Sequence, residues 1–174
     1  MEKHKLQISF DFVLTIMVFI TLVTYFLFYL LSQRNISISG LRREEKFLKA
    51  VSISQLLTDE YGYPKNWEIA PKASIKRIGF LNESYSYPNY ISRTKVVRLM
   101  NDFCNTSSDY SLLKDILGLE KYNVMIIVKF SDGTLRSCPS PLLDVSLGSP
   151  ENVTRKAFDS ENNQTVTIFV AVGD

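Results

Sequence analysis

Twenty consecutive residues, Phe12 to Leu31, constrain this chain more than any other feature. They read FVLTIMVFITLVTYFLFYLL, carry no charge, and hold three Thr among apolar and aromatic side chains. Twenty residues in a helix rise about 30 Å, which matches the hydrocarbon core of a bilayer. The competing reading, a buried core helix, fits poorly, because an uncharged run of this length is rare inside a domain of the size left over. The run is read as a membrane helix.

The flanks set its orientation. Only MEKHKLQISFD precedes it, with Lys3 and Lys5, so the positive-inside rule places the short N-terminus in the cytoplasm and everything after Leu31 outside. A secretory signal peptide has an apolar region of about 7–15 residues and a small-residue cleavage site. This run is longer, and the LLSQRN that follows offers no such site. The helix is therefore expected to stay on the mature protein.

Of the 174 residues, the part after the helix is long enough for one domain with its own core. The net charge of +2 implies no nucleic-acid partner. Five N-x-S/T sequons start at Asn35, Asn82, Asn105, Asn152 and Asn163, among ten Asn in all. Five in a domain read as exterior agree with glycosylation outside the cell; the alternative is a polar chain in an organism that lacks the enzyme. The two cysteines, Cys104 and Cys138, permit one disulfide in such a compartment, with two buried thiols as the alternative.

Immediately before the apolar run stands Gln7-Ile8-Ser9-Phe10-Asp11. This segment resembles the class III signal peptides of archaeal type IV pilin-like proteins, whose pattern is Gln-x-Ser-x-Glu ahead of a hydrophobic helix and behind a short basic stub. Gln7 and Ser9 match. Asp11 takes the place of the family's Glu, and Leu6 stands where the family usually shows a small residue. The resemblance implies that a prepilin-type peptidase cuts between Leu6 and Gln7, leaving the helix to pack in a filament core. Asp11 has two readings. It is a helix-start carboxylate favoured by the macrodipole, or it pairs with the freed amine of Gln7 on a neighbouring subunit, with Ser9 beside it. Ionisable groups at membrane depth are functional candidates, but this one lies at the margin.

Beyond the membrane run, Ser32 to Gly40 is polar and could continue the helix or break it, with Gly40 and the β-branched Ile36 and Ile38 as the signals for a break. Leu41 to Asp59 reads as helix again, with Leu41, Phe47, Leu48 and Val51 on one side, blurred by Ile53 and Leu57. Tyr61-Gly-Tyr-Pro64 stops it, with Gly62 as the cap. The segment Gly62-Tyr-Pro-Lys-Asn-Trp67, followed by Ile78-Gly-Phe80, resembles the weaker G-x-P-x-x-W … I-G-L pattern of the same family. On the residues alone, Trp67 reads as a core side chain sealing the helix end rather than a binding residue. Tyr85, Tyr87 and Tyr90 around Pro88 read as a partly packed loop, with contact to a sugar or partner as the less favoured reading.

Ser92 opens a helix with Val96, Leu99, Met100 and Phe103 at i, i+3, i+4, i+7 spacing. A short second helix spans 109–117, and Gly118 caps it. Residues 122–130 alternate as a strand, Asp132-Gly133 marks a hairpin, and 134–138 returns as its partner. A strand over 153–158 and a last strand over 164–172 follow.

No phosphate loop, nucleophile elbow or metal-binding motif occurs, and the only His, His4, lies on the stub. The chain is therefore read as a non-enzyme without cofactors. The expected fold is α+β: a leader stub 1–6, a transmembrane or assembly helix 7–31, a polar extension and helix 32–60, and an extracellular head 61–174. The head carries helices and an antiparallel sheet, giving a pilin-like lollipop. The expected function resembles that of a pilin-like subunit at the cell membrane or in a surface filament. Its partners would be membrane lipid, a prepilin-type peptidase and other pilin-like subunits. The alternative is a single-pass membrane-anchored extracellular binding protein that is neither processed nor assembled.

Overall fold

The computed structural model describes residues 2–85, 87–140 and 143–174, and the side chains of these except 2–9 and 33–39. The leader and assembly side chains of Leu6, Gln7 and Ser9, and the sequon Asn35, therefore lie outside the described residues. The chain divides into two compact units, 1–42 and 43–174. It is α+β, with a long N-terminal helix, shorter helices and an antiparallel sheet.

Helix α1 runs Glu2–Asp59 without interruption. Of the two readings of 32–40, the helix continues and the break is absent. One Gly and two β-branched residues cost a helix about 2 kcal/mol at most. That is less than the cost of nucleating a second helix from coil.

The first unit consists of α1 alone. In the second, the α1 residues that face the core are Lys46, Ala50, Ile53, Ser54, Leu57 and Thr58, all buried. This corrects the expected stripe: Leu41, Phe47 and Leu48 are exposed, and Val51 is half-buried. The true face repeats at four and three residues, and Lys46 sits on it because its ammonium reaches the Ser149 carbonyl (2.9 Å) and Asp174 (3.1 Å). A polar residue on the inner face masked the period.

The sheet that covers this core has strand order β3-β6-β7-β4-β5. Its strands are β3 Tyr90–Ile91, β4 Asn123–Phe130, β5 Leu135–Cys138, β6 Glu151–Asp159 and β7 Gln164–Gly173. All neighbours are antiparallel except the two-residue edge pair β3–β6. Alternation along β4 and β7 puts Val124, Ile126, Val128 and Phe130 opposite Val172, Val170, Ile168 and Val166 on the buried face. A one-residue slip would turn all eight to the other side, so the register is strongly specified.

Two amphipathic helices complete the core. Helix α2, Arg93–Phe103, buries Val96, Leu99, Met100 and Phe103; α3, Ser107–Ile116, buries Tyr110 and Leu113. Thr106 caps α3 by accepting from the Asp109 amide (3.2 Å), and Gly118 ends it at φ +66°. Tyr110 ties α3 to β4, donating to the Val124 carbonyl (2.9 Å) and accepting from the Val124 amide (2.8 Å). Cys104 and Cys138 form a disulfide between the end of α2 and the end of β5. Closing a loop over their sequence separation of 34 is worth about 3–4 kcal/mol against the unfolded chain.

The segment after α1 is a small interlocked unit. Strands β1 (Gly62–Tyr63) and β2 (Arg77–Ile78) pair antiparallel, and buried Trp67 donates its indole N–H to the Gly79 carbonyl at 2.8 Å. A side chain on Gly62 would meet the Trp67 ring at 2.5 Å, and one on Gly79 would meet the Glu60 carbonyl oxygen at 2.2 Å. Gly62 thus serves the Trp67 contact and lies beyond the helix end rather than capping it.

Arg93, at the start of α2, holds the β4–β5 hairpin. It donates to Asp132 (2.6 Å), approaches Asp159 (3.7 Å), and lies 4.5 Å over the Phe130 ring. Asp132 also accepts from the Thr134 amide at 2.7 Å. The Thr134 and Arg93 donors pull the Asp132 carboxyl from 3.8 down to about 2.

Two glycine variants contrast close packing in the head with open space along α1. Gly79→Ala should destabilise the head by more than about 3 kcal/mol, since backbone atoms must move. Gly40→Ala, with nothing within 4 Å, should stabilise the helix by about 0.5–1 kcal/mol. Chemical denaturation of both variants checks the contrast. For pH, a carboxyl depressed in the folded state adds stability that is complete above the unfolded value near 3.8 and is lost as pH falls toward about 2. Asp132→Asn should flatten the stability–pH curve across that interval, measured by urea titrations at stepped pH.

Candidate functional site

The feature that carries chemistry is the surface of α1 between Phe10 and Ser32. These 23 residues are long and apolar enough to cross a membrane, and none of that span is buried within the chain. At 1.5 Å per residue the span covers about 34 Å. Large side chains such as Phe12, Phe19, Phe26 and Leu31 are each more than half exposed. In water such a surface is strongly unfavourable, at roughly 25 cal/mol per Å² of apolar area. In lipid the cost vanishes.

Lipid makes a second demand: polar atoms must find partners within the protein. The backbone meets it by being helical throughout. Thr15, Thr21 and Thr24 meet it by donating their hydroxyls to the carbonyls of Asp11, Met17 and Ile20, each at 2.8 Å. Every Thr of the run is thus turned back onto its own helix. Asp11 is the one carboxylate in the span, is exposed, and sits near its N-terminal end. That position agrees with both readings of Asp11, as a helix-start residue and as a pairing group.

In the second unit the sequence-predicted candidates fall apart spatially. The disulfide pair is buried. Among the sequons with described side chains, Asn105, Asn152 and Asn163 are exposed, whereas Asn82 is half-buried and its amide donates to Ser160 at 2.7 Å. Tyr85 stacks on Tyr90 (centroids 4.8 Å apart, planes 2° apart), and Tyr90 on Phe158 at 5.6 Å. Tyr87 stands outside this stack and is exposed. The aromatic loop is thus largely packed on itself. Among the described residues, no three His, Cys, Asp or Glu side chains converge as a metal site.

One residue that sequence reasoning passed over is central to the head. Lys95 is buried, and its ammonium donates to the carbonyls of Tyr61 (3.0 Å), Lys65 (2.8 Å) and Leu81 (3.1 Å). Burial pushes its pKa below the usual lysine value, and the Glu68 and Glu83 charges oppose the shift. Glu68 lies 3.9 Å away. This arrangement ties α2 to the chain leaving α1 and is a structural clamp. The available signal was the i, i+4 spacing of Lys95 to Leu99 on an otherwise apolar stripe.

A helix that crosses a membrane is sensitive to charge at its centre, where one Arg costs about 2.5–3.5 kcal/mol. Val18→Arg with Leu22→Arg should shift the full chain from the carbonate-resistant membrane fraction to the soluble or aggregated fraction, while Leu135→Arg on the head should not. Fractionation followed by immunoblotting reads both. No family model, no curated protein and no solved structure matches this chain.

Proposed function

We propose that this chain is a pilin-like subunit. It is anchored in the cell membrane by α1, with the head outside, and is released into a type IV pilus-like filament after a prepilin-type peptidase removes residues 1–6. The observation that carries the reading is the uncharged run Phe12–Leu31, exposed along its length, placed directly behind Gln7-x-Ser9-x-Asp11. A helix without a cover in its own chain needs lipid or other helices around it. Both states of the proposed cycle supply that: lipid before assembly and a helix bundle after it. The exposed sequons Asn105, Asn152 and Asn163, and the disulfide, suit a head outside the cell.

A second reading is a membrane-anchored extracellular binding protein that is never processed. Two observations favour it: Leu6 at the cleavage position, and the exposed ring of Tyr87 beside the Tyr85–Tyr90 stack, which offers a contact surface on the head. The two readings separate at the N-terminus. Intact mass and N-terminal peptide mapping, on protein from its native membranes, should show a chain starting at Gln7, with hexose-scale additions on sequon peptides. A chain starting at Met1 with no filaments by electron microscopy would leave the anchored binding protein.

A further inference from the structure

The apolar span is not uniform around its circumference. At 100° per residue, Asp11, Thr15, Thr21, Tyr25 and Ser32 fall within an arc of about 120°. Asp11, Val18, Tyr25 and Ser32 recur every seven residues, with Leu14, Thr21 and Phe28 filling the intervening positions of the same seam. This is an a/d pattern set into a membrane helix.

Two observations give the seam an occupant. The first is Tyr25, whose ring is 71% exposed. It lies seven residues, about 10 Å, inside the outer end of the span at Ser32. Side chains on a helix lean toward its N-terminus. Tyr25 is in the C-terminal half of the span, so its phenol leans toward the bilayer centre and away from headgroup water. Lipid tails offer that hydroxyl no partner. The second is an open surface groove framed by Ile20, Thr21, Thr24, Tyr25 and Phe28. Thr21, Thr24, Tyr25 and Phe28 stand at i, i+3, i+4 and i+7. That is the four-residue hole which, in a parallel pair of helices, receives the knob at the level of Tyr25 itself. Thr21 and Thr24 donate to their own backbone, so each hydroxyl oxygen keeps lone pairs with which to accept a hydrogen bond.

We propose that two copies of this chain pair in the membrane, parallel and in register, with Tyr25 of each seated in the Thr21/Thr24/Tyr25/Phe28 hole of the other. Each phenol donates to a threonine oxygen of its partner. A copy of the same chain fits because it supplies knob and hole at the same depth, and because two copies inserted alike are parallel. The pairing rests on the reading of α1 as a membrane helix and deepens the assembly role. It describes contact before or during assembly, specified by hydroxyl groups instead of small residues.

Cysteine cross-linking of the full-length chain in native membranes tests it. The described residues hold no free thiol, so an introduced cysteine reports alone. Under copper-phenanthroline, Leu14→Cys and Val18→Cys should form disulfide dimers, whereas Ile16→Cys and Val23→Cys on the opposite side should not. Adding Tyr25→Phe to Val18→Cys removes both hydrogen bonds of the symmetric pair and should lower the dimerisation constant about sevenfold, the scale of two hydrogen bonds between membrane helices. Equal cross-linking on both sides, none at all, or cross-links only to a different protein would overturn the pairing. Filaments counted in the same cells separate the two ideas. Filaments without Val18→Cys dimers retire the pairing and leave the subunit reading. Dimers in cells whose protein keeps residues 1–6 and forms no filaments support the pairing and retire the subunit reading.

Discussion

Everything in this protein depends on one constraint: an exposed apolar surface must be matched by its surroundings, and α1 presents two different surfaces along one helix. From Phe10 to Ser32 the apolar residues encircle the axis, and the backbone and threonine hydroxyls are satisfied internally. From Arg43 to Asp59 only one stripe is buried, the remainder facing water. A helix is the one structure that suits both, because its backbone hydrogen bonds are closed within the segment and do not depend on the solvent. The change from all-round to one-sided hydrophobicity, rather than any break in the backbone, distinguishes the two parts of the helix.

Within the head, the same logic is answered by hydrogen bonds. The core cluster draws on α1, α2, α3 and the sheet. The buried cations that would oppose its closure are given partners, while among the described residues the buried Glu68 Oε2 makes no hydrogen bond and is met by the Lys95 ammonium at 3.9 Å. Lys95 is enclosed with three carbonyls, and Lys46 with a carbonyl and a carboxylate. Arg155, half-buried on β6, donates to Ser54 of α1 at 2.9 Å. Replacing such a cation with a truncated side chain would leave carbonyls without donors, which costs more than the bonds are worth net. The Gly62–Trp67–Gly79 interlock works differently. It is steric: two backbones and an indole occupy space that any Cβ would fill.

Much of this architecture could be read in advance. The membrane-length run, the alternation of β4, the Asp132-Gly133 turn and the apolar spacing of α2 are local patterns, and α2, α3 and β4 to β7 fall within one to two residues of their expected ends, whereas α1 continues through the segment expected to divide it. The reading failed where the signal was not local. The core stripe of α1 was misjudged because Lys46 and Ser54 look like surface residues until Asp174, Ser149 and Arg155 are brought to them from more than a hundred positions away. The Gly62 cap was misplaced because its positive φ serves a ring five residues on, not the helix end. Lys95 passed unnoticed because three loop carbonyls define its role.

The sequence by itself determined that this chain contains a helix of membrane length, an α+β head and a hairpin. Each follows from composition and period over fewer than about 25 neighbouring residues, where lipid thickness, the 3.6 and 2.0 periodicities and glycine's freedom at turns act directly. Tertiary structure alone decided which side of α1 faces the core, that Cys104 meets Cys138, that Trp67 locks against two glycines, and that the aromatic loop stacks on itself through Phe158. These are contacts between distant positions. Their energies come from desolvation and close packing that exist only once the sheet has brought the partners together.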